Sequence, residues 1–219
     1  MTEQQPIAPA KPGLLRNPLV SGILGLAVGA LLVGVPVVVI GGSSSSSSTS
    51  TAGGSSDLHA PAVLGGLEPM AGLLHSAGGV TAADMNSDDA KSGQRLSAAY
   101  GGAPAVVQEY SDTGLDNFAV LQVVRANSPG VYVPYENPAE LQVVRPNDEL
   151  ITVGAVSCVI ANQPTPVGQT PSPTSLNVTS CQRTGSGLTV TVRPGGGGDL
   201  QHDPNQVAAL VNSAWTELS

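Results

Sequence analysis

The pattern of hydrophobic and polar positions divides the chain into unlike stretches. Leu19 to Ile40 reads LVSGILGLAVGALLVGVPVVVI, 22 residues without a charge. At 1.5 Å rise per residue such a run crosses a hydrocarbon core of about 30 Å, so it predicts a transmembrane helix. Residues 41–56 (GGSSSSSSTSTAGGSS) have nothing to bury and form a flexible linker, with a root-mean-square reach of about 20–24 Å. Patterned sequence resumes at residue 57, and 57–219 is the expected folded domain.

Within that domain the first part is weakly patterned. Leu64, Leu67, Met70, Leu73 and Leu74 fall at helical spacing, with Pro69 suited to a first turn. Thr81 begins a T-A-A-D cap-like start, but Thr81 to Arg95 carries few apolar residues. The rest is clearer. Ala105–Tyr110 and Phe118–Arg125 are β-prone runs separated by Ser-Asp-Thr-Gly, a turn cluster. Leu150–Ile160 (LITVGAVSCVI) is apolar on both parities and reads as one central strand. Leu188, Val190 and Val192 alternate with Thr189, Thr191 and Arg193, as in a strand with one wet face. Near the end, Asp203 and Pro204 suit the cap and first position of a helix. Val207, Leu210, Val211, Ala214 and Leu218 then line one face, flanked by Trp215. The pentapeptide LQVVR occurs at 121–125 and at 141–145. The first copy completes a strand; the second follows Asn137-Pro138-Ala139-Glu140, a helix start. No further similarity surrounds the two words, so they are not a repeat.

Together these elements predict an α+β domain, an antiparallel sheet of four to five strands with helices on one face, preceded by one transmembrane helix and a flexible linker. Composition limits its core: aromatic residues are 3% of the 219, and Gly (27) and Pro (18) make about a fifth, against roughly 12% on average. The core must therefore be built from Val, Leu and Ala.

Charge sets orientation and excludes some partners. Lys11 and Arg16 precede the apolar run and the next basic residue is Lys91, so residues 1–18 are expected in the cytoplasm and the remainder outside the cell membrane. A cleaved secretory signal is the competing reading, but its apolar region is usually about 7–15 residues, shorter than this one. Within the run Gly25 and Gly29 form GxxxG, whose small residues let two helices approach and suit a homodimer, although Gly is frequent in membrane helices generally. The formal net charge is −8, and residues after 41 carry six basic against fifteen acidic side chains. Nucleic acid, which needs Lys and Arg against its phosphates, is not an expected partner. The lipid bilayer, through 19–40, and an envelope protein are.

Candidate chemistry is sparse. Cys158 and Cys181, even in number and beyond the membrane, read as a disulfide across the Pro-rich stretch 162–174. Asp84-Met-Asn86-Ser-Asp88 begins like a calcium loop, but Asp89 stands where Gly is needed and Arg95 where a bidentate Glu is needed. His59, His75 and His202 show no paired spacing for zinc. His202 and Asp203 beside Gly195–Gly198 are the least poor candidates for a hydrolase, but a flexible connector into a capped helix is the preferred account of them, and no catalytic residue is assigned. Asn177-Val-Thr179 is a formal glycosylation sequon. No cofactor is expected.

A basic tail, an Ala/Gly/Val-rich span, a Ser-rich tether and a small cysteine-bearing domain that includes CQRTGSGLTVTV (181–192) and DPNQVAALVNSAW (203–215) resemble uncharacterised single-pass membrane proteins of actinobacteria. The resemblance implies a bacterial envelope location and no activity. The functional expectation is a membrane-anchored extracytoplasmic interaction or sensing module. An envelope hydrolase with dispersed residues and a passive structural protein are the alternatives.

Overall fold

The computed structural model describes residues 58–74 and 80–219. The expected cytoplasmic tail, membrane span with its Gly25–Gly29 face, and linker lie outside the described residues, as does His75. Among the described residues no helix is long and apolar enough to cross a membrane.

The fold is α+β, with one antiparallel sheet of seven strands rather than the four or five expected. In chain order the strands are β1 (Glu68–Pro69), β2 (Ala105–Ser111), β3 (Asn117–Val124), β4 (Asp148–Val153), β5 (Val156–Asn162), β6 (Leu176–Gly185) and β7 (Leu188–Gly196). Across the sheet they run β1-β2-β3-β7-β6-β5-β4. Among the described residues four helices accompany them: α1 (Met70–Leu73), α2 (Ala82–Ala99), α3 (Pro138–Leu141) and α4 (Pro204–Leu218), with a 3-10 turn at Asp199–His202.

Part of the larger count has a local cause. The run read as one central strand is a hairpin, β4 and β5 joined through Gly154 and Ala155, with Val153 opposite Val156. Gly154 takes φ 60°, the first position of a two-residue turn that needs a left-handed residue. β6 and β7 turn similarly through Ser186 (φ 51°) and Gly187 (φ 76°).

The core lies on one sheet face beneath α4. Ala119, Leu121 and Val123 of β3, Val190 and Val192 of β7, and Val156, Cys158 and Ile160 of β5 are buried there, in one cluster with Val207, Ala208, Leu210, Val211 and Ala214 of α4. The cap forms as its residues dictate: Asp203 accepts from the backbone N–H of Asn205 (2.8 Å) and Gln206 (3.2 Å), and Pro204 occupies the first turn. Trp215 flanks the stripe, with the Arg183 guanidinium 4.3 Å from its ring centre. Tyr110, fully buried, donates its hydroxyl proton to the Pro61 carbonyl and so pins residues near 61 to the sheet.

The opposite face is drier than its alternation suggests. The chain leaving β3 folds back on it: Ser128 N–H donates to Thr189 Oγ1 (2.9 Å), Thr189 Oγ1 donates to Ala126 O (2.7 Å), and Gln182 Nε2 donates to Pro129 O (3.0 Å). Thr189, expected wet, is therefore buried. The second LQVVR does follow a helix start, with Asn137 accepting from Ala139 N–H. The helix ends at Leu141, however, and Gln142 turns left-handed (φ 54°). Val143 then bridges Pro166.

The glycine run is a packed passage, not a loose connector. A Cβ at Gly196 (φ 99°) would fall on Asp116 O, one at Gly195 on the Phe118 ring, and one at Gly198 on the Asn117 side chain. Only Gly197 of the four meets nothing within 4 Å. Gly196→Ala is expected to cost about 1–3 kcal/mol through backbone strain, whereas Gly197→Ala should stay within about 1 kcal/mol of wild type. Denaturant midpoints of the two variants check this; equal effects would mean that the run is loose.

Cys158 of β5 and Cys181 of β6 stand directly opposite one another, 4.0 Å apart at Cα, and are joined by a disulfide. Both are fully buried. The bridge spans 23 positions of sequence, so on chain-entropy grounds its reduction should remove about 2–4 kcal/mol. Reductant is expected to lower the melting temperature by several degrees, and the Cys158→Ala, Cys181→Ala double variant should melt with the reduced protein.

Candidate interaction surface

The two edges of the sheet are finished differently. At one edge β1 pairs only with Tyr110 and Ser111 of β2. For the rest of β2, Arg125 N–H bonds Pro104 O (2.8 Å), which fixes the alternation, so that Ala105, Val107 and Glu109 point their backbone groups away from β3. α2 lies along them. Asp89 Oδ2 accepts from Glu109 N–H (3.3 Å) and from Gln108 Nε2 (2.9 Å). Gly93 brings the helix backbone close, since a Cβ there would sit 3.6 Å from Ala105 O and Val107 N. The helix is secured at its start by a reciprocal capping box between Thr81 and Asp84. Its buried positions are Asp89 and Gly93, so no apolar stripe announces it in the sequence.

A groove of about 560 Å³ runs between α2 and β2, with Asp89 and Ser97 in its wall. Burial pushes the carboxyls of Asp89 and Glu109 above the usual range, and each is raised further by neighbouring acids: Asp88 for Asp89, Asp89 and Asp88 for Glu109. Two carboxyls of raised affinity for protons suggest acid–base chemistry. Here the Asp89 oxygen is spent on the donors of the sheet edge, which makes it a cover for that edge.

The β4 edge has no such cover. Val153 opposite Val156 across the turn, with Asn162 N–H on Asn147 O (2.6 Å), directs the backbone groups of Glu149, Ile151 and Val153 to β5. Those of Asp148, Leu150 and Thr152 point outward, and among the described residues nothing pairs with them. Leu150 is 41% exposed. Beside this edge the segment Tyr132–Glu136 and residues 146–150 enclose a groove of about 450 Å³. Glu136 Oε2 accepts from Asn147 N–H at 2.6 Å and holds the two walls together. Tyr132 and Tyr135 are 80% and 88% exposed. The charged walls are acidic, from Glu136, Asp148 and Glu149, and Arg145 is the nearest cation along the chain. Aromatic side chains left in water beside unpaired backbone donors and acceptors are the makings of a binding surface.

None of these residues was singled out from the sequence. The available signal was NSPGVYVPYENP (127–138), which places two of only four tyrosines in a Pro-bounded loop. The residues that were singled out go elsewhere. His202 Nδ1–H donates to Leu176 O (2.7 Å) and its other nitrogen meets Gln201 Nε2 (3.2 Å), while Asp203 caps α4. The would-be calcium loop is helical: the Asp84 carboxylate accepts from Thr81 N–H at 3.0 Å to complete the capping box of α2, and Asp88 pairs with Lys91 at 2.9 Å. Asn177 lies within β6 opposite Ala161. Among the described residues no cluster of three or more His, Cys, Asp or Glu has metal-binding geometry. No known protein family, curated protein or solved structure matches the chain.

The Asp89 contact carries a pH signature. A carboxyl whose folded pKa lies above its unfolded value of about 3.9 contributes stability that is full at lower pH and lost as pH rises through the folded value. Asparagine keeps an acceptor for Glu109 N–H without the charge. The stability of wild type relative to Asp89→Asn should therefore be greater near pH 4 than near pH 7. Melting curves of both proteins at the two pH values test this, and a constant offset would refute it.

Proposed function

We propose that the domain is a membrane-tethered, extracytoplasmic interaction module of the cell envelope, and that its partner docks on the surface made by Tyr132, Tyr135 and the β4 edge. The observation that carries this reading is the exposure of those two tyrosines, 80% and 88%, in a chain that has only four. Burying an aromatic ring is among the largest gains a small domain can make, and this domain leaves two rings out. Interfaces concentrate their binding energy in such residues. The apolar span at 19–40 and the Ser/Gly-rich linker at 41–56 support the tethered arrangement, since a leash of this kind restricts the domain to one surface without orienting it.

The test is a photo-crosslinking amino acid placed at Tyr135 in the full-length chain in intact cells, with Asn205, exposed on α4, as the control position. A discrete adduct from position 135 but not from 205 is expected, lost when Tyr132 is changed to Ala in the same chain. Identical adducts from both positions, or none from 135, would overturn the reading.

A further inference from the structure

We infer that the β4 edge receives an extended, basic segment of the partner as an added strand, so that the sheet continues into the partner's backbone. The inference rests on the reading above and gives the partner its chemistry. Three features of the structure support it. The outward backbone groups of Asp148, Leu150 and Thr152 form a ready ladder with the spacing an incoming strand needs. The contrast with the other edge is specific: there Asp89 accepts Glu109 N–H and Gly93 of α2 lies close against Ala105 and Val107, whereas here, among the described residues, nothing pairs with the outward groups. Glu136, Asp148 and Glu149 place negative charge along the ladder and its adjoining groove, which favours Lys or Arg on the incoming segment.

The same charges select against a second copy of this chain. A second copy would bring its own Glu136, Asp148 and Glu149 to an edge that already carries these acids, on a domain that is acidic throughout. A basic strand meets the same groups with opposite sign. Leu150 lies central on the edge, where an apolar side chain of the guest can cover it, and the exposed rings of Tyr132 and Tyr135 can stack on the stems of its lysines or arginines.

The experiment uses the full-length chain and two synthetic peptides, KKVTVKK and EEVTVEE. Each carries similar charge at both ends, so either strand direction presents it to Asp148 and Glu149. Hydrogen exchange is followed by mass spectrometry. At saturating KKVTVKK, exchange in the segment 147–153 should slow about tenfold, as expected of amides that acquire hydrogen-bond partners, and EEVTVEE should leave it unchanged. In the Asp148→Lys, Glu149→Lys variant the preference between the peptides should reverse. Leu150→Pro, which deletes one outward donor without touching the ladder to β5, should abolish the protection. Its fold is checked by unchanged exchange in β7. Equal protection by both peptides, protection confined to other segments, or no reversal in the charge variant would overturn the inference. Concentration-dependent protection of 147–153 without any peptide would assign the edge to a second copy and overturn it too. A crosslink from Tyr135 with no protection of 147–153 would leave the interaction module standing and remove strand addition.

Discussion

Val207, Ala208, Leu210, Val211 and Ala214 of α4 rest on the aliphatic face of β5, β6 and β7, and most other features of the domain are arranged around that contact. At roughly 25 cal/mol per Å² of apolar surface, a core of small aliphatic residues yields modest stabilisation. The chain supplements it with devices that do not require aromatic bulk. A disulfide links the two strands beneath the helix, Asp203 and Pro204 fix where the helix begins, and Arg183 lays its guanidinium on Trp215 where the stripe ends. Tyr110 is the one large ring placed fully inside, and it doubles as an anchor for the chain near Pro61.

What could be read from the residues follows from how local each determinant is. α4 was legible because cap, proline and apolar stripe all lie within its own span. The disulfide was legible from an even cysteine count and the compartment that the sequence leads one to expect. LITVGAVSCVI was misread because valines flank a two-residue turn on both sides, and alternation continues through the bend almost unbroken. α2 was undervalued because it packs through Asp89 and Gly93, a polar acceptor and a missing side chain, neither of which registers in a hydrophobic pattern. The glycine run looked like a spacer because the backbone and ring that exclude its side chains come from 116–118, some 80 residues earlier. The tyrosine surface depended on a fact no local pattern contains: that β4, not β5, is the outermost strand.

The sheet edges show two solutions to one problem. An unpaired strand edge invites association, and proteins cover it or charge it. This domain covers β2 with a helix whose buried acid accepts the stray amide of Glu109, and charges β4 with Asp148 and Glu149. Covering closes an edge to every comer. Charging closes it only to partners of like sign, so the second solution retains a selectivity that the first gives up.

The strand order has a consequence for how the chain assembles. β4 to β7 form an uninterrupted meander of neighbours in sequence, whereas β3 pairs with β7 only after the chain has passed through Leu188. During synthesis from the N-terminus, β3 is therefore complete while its eventual partner is still unmade, and its free edge carries Leu121 and Val123 on one side. Pairings distant in sequence form slowly, and strand edges exposed in the interval are the usual sites of misassembly. The route from β3 to β4 is hydrogen-bonded to that same hairpin, Ser128 to Thr189 and Pro129 to Gln182, so these contacts too form only once β6 and β7 have been made.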